Sequence, residues 1–240
     1  SHMMEQNVTV PPPIIHLDTP ESIWKHLEST STIQYFWLGR KPYRPIWELQ
    51  KQLHNKRVSN EIPDVVLLLE HDPVYTFGKN ANTDLLLDSK PQDAEVVQID
   101  RGGQVAYHGP GQLMGYPIMD LHNYRMSVSW YMRSLEGVII NCLKQLGVKS
   151  ARKKNLPGVW VADEKICAMG VRLSRWVTMH GFALNLAPEM KYFDGMIPCG
   201  IFNYGVTSLH DQGINIPMDI LAEDISASFS SIFEGKNDEV

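Results

Sequence analysis

The spacing of apolar residues along the chain predicts three helices. In the clearest of them, 127–146, apolar side chains recur every three or four residues, as on one face of a helix. Ser127 can cap the start of this helix, and Gly147 can end it. A second helix is predicted to begin near Pro45, because proline is favoured in the first helical turn, and a third covers 217–233.

Apolar runs between these helices predict the strands. The run 65–69 is apolar throughout, which is typical of a central strand buried on both faces. Asp163 and Glu164 separate two such runs and predict a hairpin turn. Further strands are predicted at 33–38, 94–100, 113–121, 158–162, 166–173 and 176–186. Because strands outnumber helices and the helices lie apart in sequence, the pattern predicts an α+β, or mixed α/β, fold.

Composition places the chain among globular proteins with a sizeable core. The 240 residues are 43% apolar and 20% charged, and no apolar run approaches the roughly 18 residues that a membrane helix requires. The net charge of −5 argues against a nucleic-acid-binding protein, which usually carries a basic surface. Three cysteines without a pairing pattern indicate a reducing compartment. We therefore expect neither nucleic acid nor a membrane among its partners.

The first residues differ in character from the rest. Ser1-His2-Met3 is the sequence that a cleaved expression tag leaves behind. Three consecutive prolines at 11–13 predict an extended arm. Residues 1–13 are therefore predicted to be a tag remnant and an N-terminal arm. Since no repeat or linker interrupts 14–240, these residues are predicted to form one catalytic or binding domain.

The segment 101–112 is the strongest candidate for a ligand-binding wall. It holds four glycines, one proline, Arg101 and His108 between two apolar runs. Glycine lets the backbone turn sharply or lie close to a ligand, and an ordinary turn needs only one or two such residues. The alternative is a long glycine-rich hairpin turn. The segment lacks the spacing and the following helix of a dinucleotide-binding motif.

Two cysteines and a lysine are candidates for nucleophilic chemistry. Cys199 lies between Pro198 and Gly200, which predicts an accessible loop in which a nearby cation could hold the thiolate. Lys165 precedes an apolar run and either projects into a pocket or lies in solvent. Cys167 is predicted to share a strand face with Lys165, which makes it the rival nucleophile, although its apolar neighbours favour burial. Cys142 lies on the apolar face of the 127–146 helix and is predicted to be structural.

Two histidines, His108 and His180, are each followed by glycine. Such a pair is compatible with a metal site or with a Cys–His dyad. No third ligand occurs at a spacing typical of metal sites, and a lone histidine is more often structural. We therefore expect no metal.

Four blocks, taken in order, resemble the octanoyltransferase family of lipoate biosynthesis, the lipoyl/octanoyl-protein transferases. They are 71–78, 101–112, 165–172 continuing into 180–185, and 198–200. The resemblance extends from about Val65 to about Leu209, and the one departure is Ala106, where the family usually has threonine. It implies a fold like that of lipoate and biotin protein ligases, in which helices flank a central mixed β-sheet.

The resemblance also implies a reaction. An octanoyl group is taken from octanoyl-acyl-carrier protein and placed on a lysine of a lipoyl domain, through an acyl-cysteine thioester. Cys199 matches the nucleophile, and Lys165 matches the lysine that lowers the pKa of its thiol. The implied acyl pocket comprises Arg101, Gly102, Gly103, Gln104, Val105, Ala106, Tyr107, His108, Ala168, Met169, Gly170, Gly181, Phe182 and Ala183.

Partners and compartment follow from the same resemblance. The acceptors are the lipoyl domains of 2-oxoacid dehydrogenase complexes and the glycine cleavage H protein. No cofactor is expected, because exchange between two thioesters is nearly isoenergetic. A bacterial member would be cytoplasmic, and a eukaryotic one mitochondrial or plastid. Such partners are acidic, so Arg152, Lys153 and Lys154 are predicted to guide them, unless this cluster is only a solvated turn.

The chemistry of the step adds two expectations. Lys165, once neutral, could accept the proton of the incoming amine. Backbone N–H groups near Gly170, or in the turn at Gly102 and Gly103, could stabilise the oxyanion. Three other functions stay open: an ATP-dependent lipoate–protein ligase, a cysteine acyl-hydrolase that pairs Cys199 with His180 or His108, and a non-catalytic acyl-chain-binding module.

Overall fold

The computed structural model describes residues 12–27, 32–79, 81–82, 86, 88, 90–196 and 204–235. Within these residues the helices are α1 (Tyr43–Val58), α2 (Val128–Gln145) and α3 (Met218–Phe233), with 3₁₀ helices at Pro20–Lys25, Leu121–Asn123 and Met190–Gly195. The strands are β1 (Ile14–His16), β2 (Gln34–Lys41), β3 (Val65–His71), β4 (Val74–Phe77), β5 (Glu95–Gln98), β6 (Val105–His108), β7 (Gln112–Ile118), β8 (Ala151–Lys153), β9 (Leu156–Val161), β10 (Glu164–Ser174), β11 (Val177–Asn185) and β12 (Gly205–Val206).

The described strands form two sheets. The larger is a mixed sheet in the order β1-β2-β3-β7-β11-β10-β9-β8, with β12 added in parallel to β10. Strands β1, β2 and β3 run parallel to one another, and the path from β3 through β7 to β8 is antiparallel. The smaller sheet has the order β5-β4-β6. The predicted mixed sheet flanked by helices is therefore confirmed.

Two apolar cores cover the two faces of the larger sheet. Helices α2 and α3 pack together over one face, where Leu135, Val138 and Phe229 are completely buried. Helix α1 covers the other face and packs against β7 and β11. Strand β3 contributes to both cores, because its alternate side chains point to opposite faces. The prediction that 65–69 forms a strand buried on both faces is confirmed.

The predicted helix positions are close to those observed. The Ser127 hydroxyl accepts a hydrogen bond from the Trp130 N–H at 3.2 Å and so caps α2 as expected. Helix α1 begins at Tyr43, just before Pro45. None of the helices in the described part of the chain is long and apolar enough to cross a membrane.

Two alternatives that the sequence left open, both of them turns, differ from the structure. The segment 101–112 is more than a turn, because it contains β6 and the first residue of β7. Arg152 and Lys153 lie in the short edge strand β8 and not in a charged turn. In both places a few residues form a strand because a neighbouring strand supplies the hydrogen-bond partners, which local pattern does not report.

Candidate active site

A narrow cleft lies between β6 and the neighbouring strands β10 and β11. Its volume, including space open to solvent, is about 540 Å³. The structure places every acyl-pocket residue named from the sequence in its lining, except Tyr107, which lines an adjoining cavity of about 440 Å³. Lys165 lines both spaces. The glycine-rich segment, the strand after Lys165 and the strand after His180 are thus brought together.

Arg101 holds the glycine-rich segment in place. Its guanidinium is buried and donates hydrogen bonds to the carbonyl and hydroxyl of Thr76, at 3.0 and 2.7 Å, and to the Gly102 carbonyl at 2.9 Å. The Gly102 N–H donates in turn to the Val171 carbonyl of β10 at 3.4 Å. Arg101 therefore links the small sheet, the loop and the wall of the cleft.

Apolar side chains form much of the inner surface of the cleft. Met114 from β7, Ala168 and Met169 from β10, and Phe182 from β11 line it. Phe182 lies across β7 because residue 115 is glycine, and a Cβ atom there would overlap the phenyl ring. The cleft suits an alkyl chain, since methylene groups gain free energy when they leave water.

Lys165 lies half-buried at one end of the cleft, where it packs against Trp160. Its Nζ is 5.1 Å from the centre of the Trp160 ring, and the two residues are paired across β9 and β10. Among the described residues, no carboxylate forms an ion pair with Lys165. Gly158 lies beside its stem and lets β9 approach β10 closely: its φ is +124°, and a Cβ there would lie 2.6 Å from the Cys167 carbonyl oxygen.

A buried carboxylate supports the strand behind Lys165. The Glu136 side chain of α2 accepts a hydrogen bond from the Gly158 N–H at 3.0 Å and pairs with Arg152 at 3.2 Å. Lys153 pairs with Asp163 at 3.0 Å. Of the three residues predicted to guide partners, Arg152 and Lys153 thus contact carboxylates of the same chain, and Lys154 is exposed.

Cys167 lies on the core side of the sheet and not on the side of Lys165. A β-bulge at Lys165 and Cys167 interrupts the alternation of side chains, so Ile166 and Cys167 both pack into the core beneath α2. The prediction of a shared face was therefore wrong. Burial raises the pKa of the Cys167 thiol, which disfavours it as a nucleophile. Cys142 is buried in the same core, as expected, and burial raises the pKa of its thiol to about 12.

Cys199 lies outside the described residues. The described chain stops at Met196 and resumes at Tyr204. Met196 and Val206 both line the cavity that adjoins the cleft at Lys165. Val206 is also the strand partner of Lys165, and the Thr207 N–H donates to the Lys165 carbonyl at 3.0 Å.

Two buried histidines away from Lys165 are neutral. His108 bonds through Nδ1 to the Gln112 side-chain oxygen at 3.1 Å, and burial lowers its pKa to about 3. Burial likewise lowers the pKa of His71 to about 4. The His71 Nε2 accepts a hydrogen bond from the hydroxyl of Tyr116, which lines the cleft, at 2.7 Å.

His180 has a different environment from the other histidines. Its backbone is in the left-handed region, with φ +56°, and its N–H donates to the Gln50 side-chain oxygen at 2.9 Å. Its Nε2 lies 2.8 Å from an Asp100 carboxylate oxygen, and the other oxygen of Asp100 lies 3.4 Å from Arg172. Burial lowers the pKa of His180, and the hydrogen bond from His180 lowers the pKa of Asp100. Across the described residues, no group of three or more metal-ligating side chains occurs.

Three lining residues were missed by the sequence analysis: Tyr43, Met114 and Tyr116. Tyr43 is the first residue of α1, and the other two lie in the apolar strand β7. Their local pattern is that of ordinary core residues. Only the packing of α1 and β7 against the cleft distinguishes them.

The chain is similar to known proteins in sequence and in fold. A family model described as the lipoyl protein ligase A/B catalytic domain matches residues 42–230. An octanoyltransferase from Gloeobacter violaceus is 43% identical over 196 residues, which are 81% of this chain and 87% of that protein. A bipartite lipoate protein ligase from Thermoplasma acidophilum has a TM-score of 0.63 at 15% identity, over 81% of each chain. A biotin protein ligase from Aquifex aeolicus in complex with biotin and ATP has a TM-score of 0.50 at 14% identity, over 85% of this chain and 73% of that one.

Proposed function

Because the chain belongs to the octanoyltransferases of the lipoyl protein ligase A/B catalytic-domain family, we propose that it transfers octanoyl from octanoyl-acyl-carrier protein to a lipoyl-domain lysine. Its membership makes it an acyltransferase. The proposal further specifies octanoyl-acyl-carrier protein as the donor, an acyl-cysteine as the intermediate and a lysine side chain as the target. The proposed acceptors are lipoyl domains of 2-oxoacid dehydrogenase complexes and the glycine cleavage H protein.

One observation carries the proposal: an ammonium group without a carboxylate partner among the described residues lies at the end of an apolar cleft. Lys165 is this group, and Met196 and Val206, on either side of the segment that contains Cys199, line the cavity beside it. A nearby cation stabilises a thiolate. The arrangement supports Cys199 as the nucleophile and Lys165 as the source of positive charge.

In the first step, the Cys199 thiolate attacks the carbonyl carbon of the octanoyl thioester. A new C–S bond forms, the C–S bond to the carrier's thiol breaks, and the departing thiolate takes a proton from the Lys165 ammonium, which leaves Lys165 neutral. The tetrahedral oxyanion needs N–H donors. Because the Gly102 N–H already donates to the Val171 carbonyl, the N–H groups of Gly103 and Gly170 are the better candidates.

In the second step, the amine of the acceptor lysine attacks the acyl-cysteine. An amide bond forms, the Cys199 thiolate leaves, and the nitrogen loses a proton. Lys165 in its neutral form can accept that proton, so one side chain serves both steps. The acyl chain meanwhile lies in the cleft, where burying seven methylene and methyl groups contributes on the order of 5 kcal/mol before ordering costs.

Docking of acidic partners is proposed at the edge of β8. Lys154 is exposed there, and Lys153 is beside it with its ammonium 5.5 Å from the Trp160 ring. Arg152 contributes chiefly through its contact with Glu136, which supports the strand behind Lys165. A partner guided to this edge would bring its thioester or lysine close to Lys165.

Intact-mass spectrometry after incubation with octanoyl-acyl-carrier protein tests the proposed intermediate. Substitution at a thiol adds about 126 Da for an octanoyl group. The adduct is expected in the wild type and in Cys167→Ala, and it is expected to be absent in Cys199→Ala. An adduct that persists in Cys199→Ala and disappears in Cys167→Ala would refute Cys199 as the nucleophile.

The same preparation separates the alternative functions. Transfer to a lipoyl domain without ATP is expected here, whereas a lipoate–protein ligase acts on the free acid and requires ATP. A cysteine acyl-hydrolase would release octanoate even when a lipoyl domain is present. A non-catalytic acyl-chain-binding module would behave identically after Cys199→Ser.

A further inference from the structure

Two cavities meet at Lys165, and the wall of the second, which adjoins the acyl cleft, is distinct from that of the cleft. Lys165 and Ala168 line both spaces, whereas Phe193, Met196 and Val206 line the second cavity and not the cleft. In the proposed function the acyl chain occupies the cleft, and its carbonyl carbon lies near Lys165. A nucleophile that approaches this carbon from the second cavity does not collide with the acyl chain.

The second cavity suits an unbranched aliphatic side chain with a polar end. Phe193, Met196 and Val206 give it an apolar wall, and methylene groups gain free energy when such a wall removes them from water. Lysine has this shape, because a stem of four carbons carries its amine. The polar groups of the lining then have to serve the amine.

Asn185 of β11 lies beside Lys165 in the sheet. It follows Leu184, whose strand partner is Cys167 at the bulge that also contains Lys165. Because side chains alternate along a strand, Ala183 and Asn185 line the second cavity, while Leu184 packs into the core. Asn185 and Lys165 therefore face the same cavity.

Thr207 fixes the side-chain amide of Asn185 in one orientation. The Asn185 Nδ2 donates to the Thr207 carbonyl at 3.1 Å, and the Thr207 N–H donates to the Lys165 carbonyl at 3.0 Å. Because a carbonyl oxygen only accepts hydrogen bonds, the amide nitrogen faces Thr207 and Oδ1 faces away from it. No described residue donates to Oδ1, and this atom is not sealed off from the cavity that Asn185 lines. Asn185 thus presents a fixed hydrogen-bond acceptor beside Lys165.

The other polar side chains that line the second cavity are engaged within the protein. Gln112 donates through Nε2 to the Tyr107 carbonyl at 3.1 Å, and its oxygen accepts a hydrogen bond from His108 at 3.1 Å. The Tyr107 hydroxyl is buried against Gly109. Among the described lining residues, Asn185 and Lys165 are therefore the polar side chains available to a ligand.

We propose that the second cavity binds the side chain of the acceptor lysine, and that Asn185 accepts a hydrogen bond from its attacking amine. The inference rests on the proposed function, because it places the acyl carbonyl at Lys165. The neutral amine attacks the acyl carbon, the bond from that carbon to the Cys199 sulfur breaks, and the sulfur leaves as thiolate. One of the two amine protons passes to neutral Lys165. The other stays on the amide product and is held by Asn185 throughout, so the two acceptors orient the lone pair of the amine.

Asn185 should distinguish an amine from a thiol as the nucleophile. The amine gains positive charge as it attacks, and a hydrogen bond from a charged donor is stronger than one from a neutral donor. A thiolate carries no proton on its attacking atom and gains nothing from this acceptor. The Asn185 side chain should therefore matter for transfer to lysine and not for exchange with a thiol.

The test compares two nucleophiles on the same acyl-enzyme. Wild type, Asn185→Leu and Asn185→Ser, each as the full chain, are loaded with octanoyl-pantetheine and freed of excess thioester. Each is then mixed with a lipoyl domain or with free pantetheine, and intact-mass spectrometry follows the loss of the octanoyl adduct. Leucine resembles asparagine in size without an acceptor, and serine keeps a hydroxyl. Pantetheine is the matched control, because a merely structural defect slows both reactions.

In Asn185→Leu we expect transfer to the lipoyl domain to slow about thirtyfold, as for the loss of a hydrogen bond to a charged group, while thiol exchange stays within about twofold. Transfer by Asn185→Ser should lie between that of Asn185→Leu and that of the wild type. Equal changes in both reactions, or no change in either, would overturn the inference. So would a selective loss of thiol exchange, which would assign the cavity to the donor's pantetheine arm.

Two further outcomes have separate meanings. If the wild type forms no acyl-enzyme, the proposed function itself has failed. If Asn185→Leu does not fold, as thermal unfolding would report, Asn185→Ser decides by the same comparison of amine and thiol.

Discussion

Two regions of the cleft lining differ in how deeply their polar groups are buried. At one end Lys165 is half-buried, lies against the Trp160 ring and adjoins a second cavity. Elsewhere in the lining, Arg101 and His180 are buried, and the Arg101 guanidinium donates to the Thr76 hydroxyl and to backbone carbonyls. The difference follows from desolvation, because a charge such as that of Arg101 can be buried only with hydrogen-bond partners, whereas the half-buried Lys165 ammonium keeps contact with solvent.

The two regions therefore suit different roles. An ammonium can stabilise a thiolate or an oxyanion only where it keeps its charge, so the end that adjoins the second cavity suits the reaction. The buried histidines His71 and His108, in contrast, do not titrate near neutral pH, because burial lowers their pKa values to about 4 and about 3. Variants that remove the Lys165 charge or a buried histidine therefore test this difference most directly.

The largest effect is expected from Lys165. Lys165→Met keeps the length of the stem and removes the charge, and we expect the rate of octanoyl transfer to fall about a thousandfold. Lys165→Arg keeps the charge but cannot act as a base. If Lys165 is needed as a base, Lys165→Arg should form the acyl-enzyme and fail to pass octanoyl to the lipoyl domain. Single-turnover measurements of the two steps distinguish the outcomes, and near-normal rates for Lys165→Met would contradict a role at this end.

The buried histidines should affect the pH dependence of stability. The pKa values of His71 and His108 are lowered in the folded protein, to about 4 and about 3, from about 6.5 in an unfolded chain. Between about pH 6.5 and pH 4 the unfolded chain binds these protons and the folded protein does not. The free energy of unfolding should therefore decrease as the pH is lowered through this range, by about 1.4 kcal/mol per pH unit for each histidine.

Urea unfolding of His108→Asn across this pH range checks the sign and size of the effect. The variant should lose the contribution of one histidine to the slope, and the wild type should be most stable above about pH 6.5. An unchanged slope would mean that His108 is protonated in the folded protein, contrary to its burial.

The smallest effect is expected at the edge beyond Lys165. Lys154→Glu should raise the KM for octanoyl-acyl-carrier protein about fivefold, because one exposed charge at an interface contributes roughly 1 kcal/mol. The salt dependence of KM should weaken as well. Lys25→Glu, an exposed change at the opposite side of the sheet, is the control. Equal behaviour of the two variants would remove β8 as the docking edge.

Much of the fold and part of the site could be predicted from the sequence. The apolar run 65–69 and the helical spacing over 127–146 are strong local signals. A strand buried on both faces must be apolar throughout, and a helix buried on one face must repeat apolar residues every three or four positions. The glycine-rich segment and Lys165 were also identified, since unusual backbone freedom and an ammonium before an apolar run are visible without coordinates. The role of Cys199 stays a prediction from the sequence.

Only the tertiary structure decided how these parts face one another. The bulge that places Cys167 on the core side of β10, and the strand β8 that contains Arg152, depend on partners distant in sequence. His108 and His180 are each followed by glycine, yet one bonds to Gln112 and the other to Asp100. Burial and hydrogen-bond partners are set by long-range packing. The sequence therefore determined which chemical groups are present, and the packing of two sheets determined which of them meet.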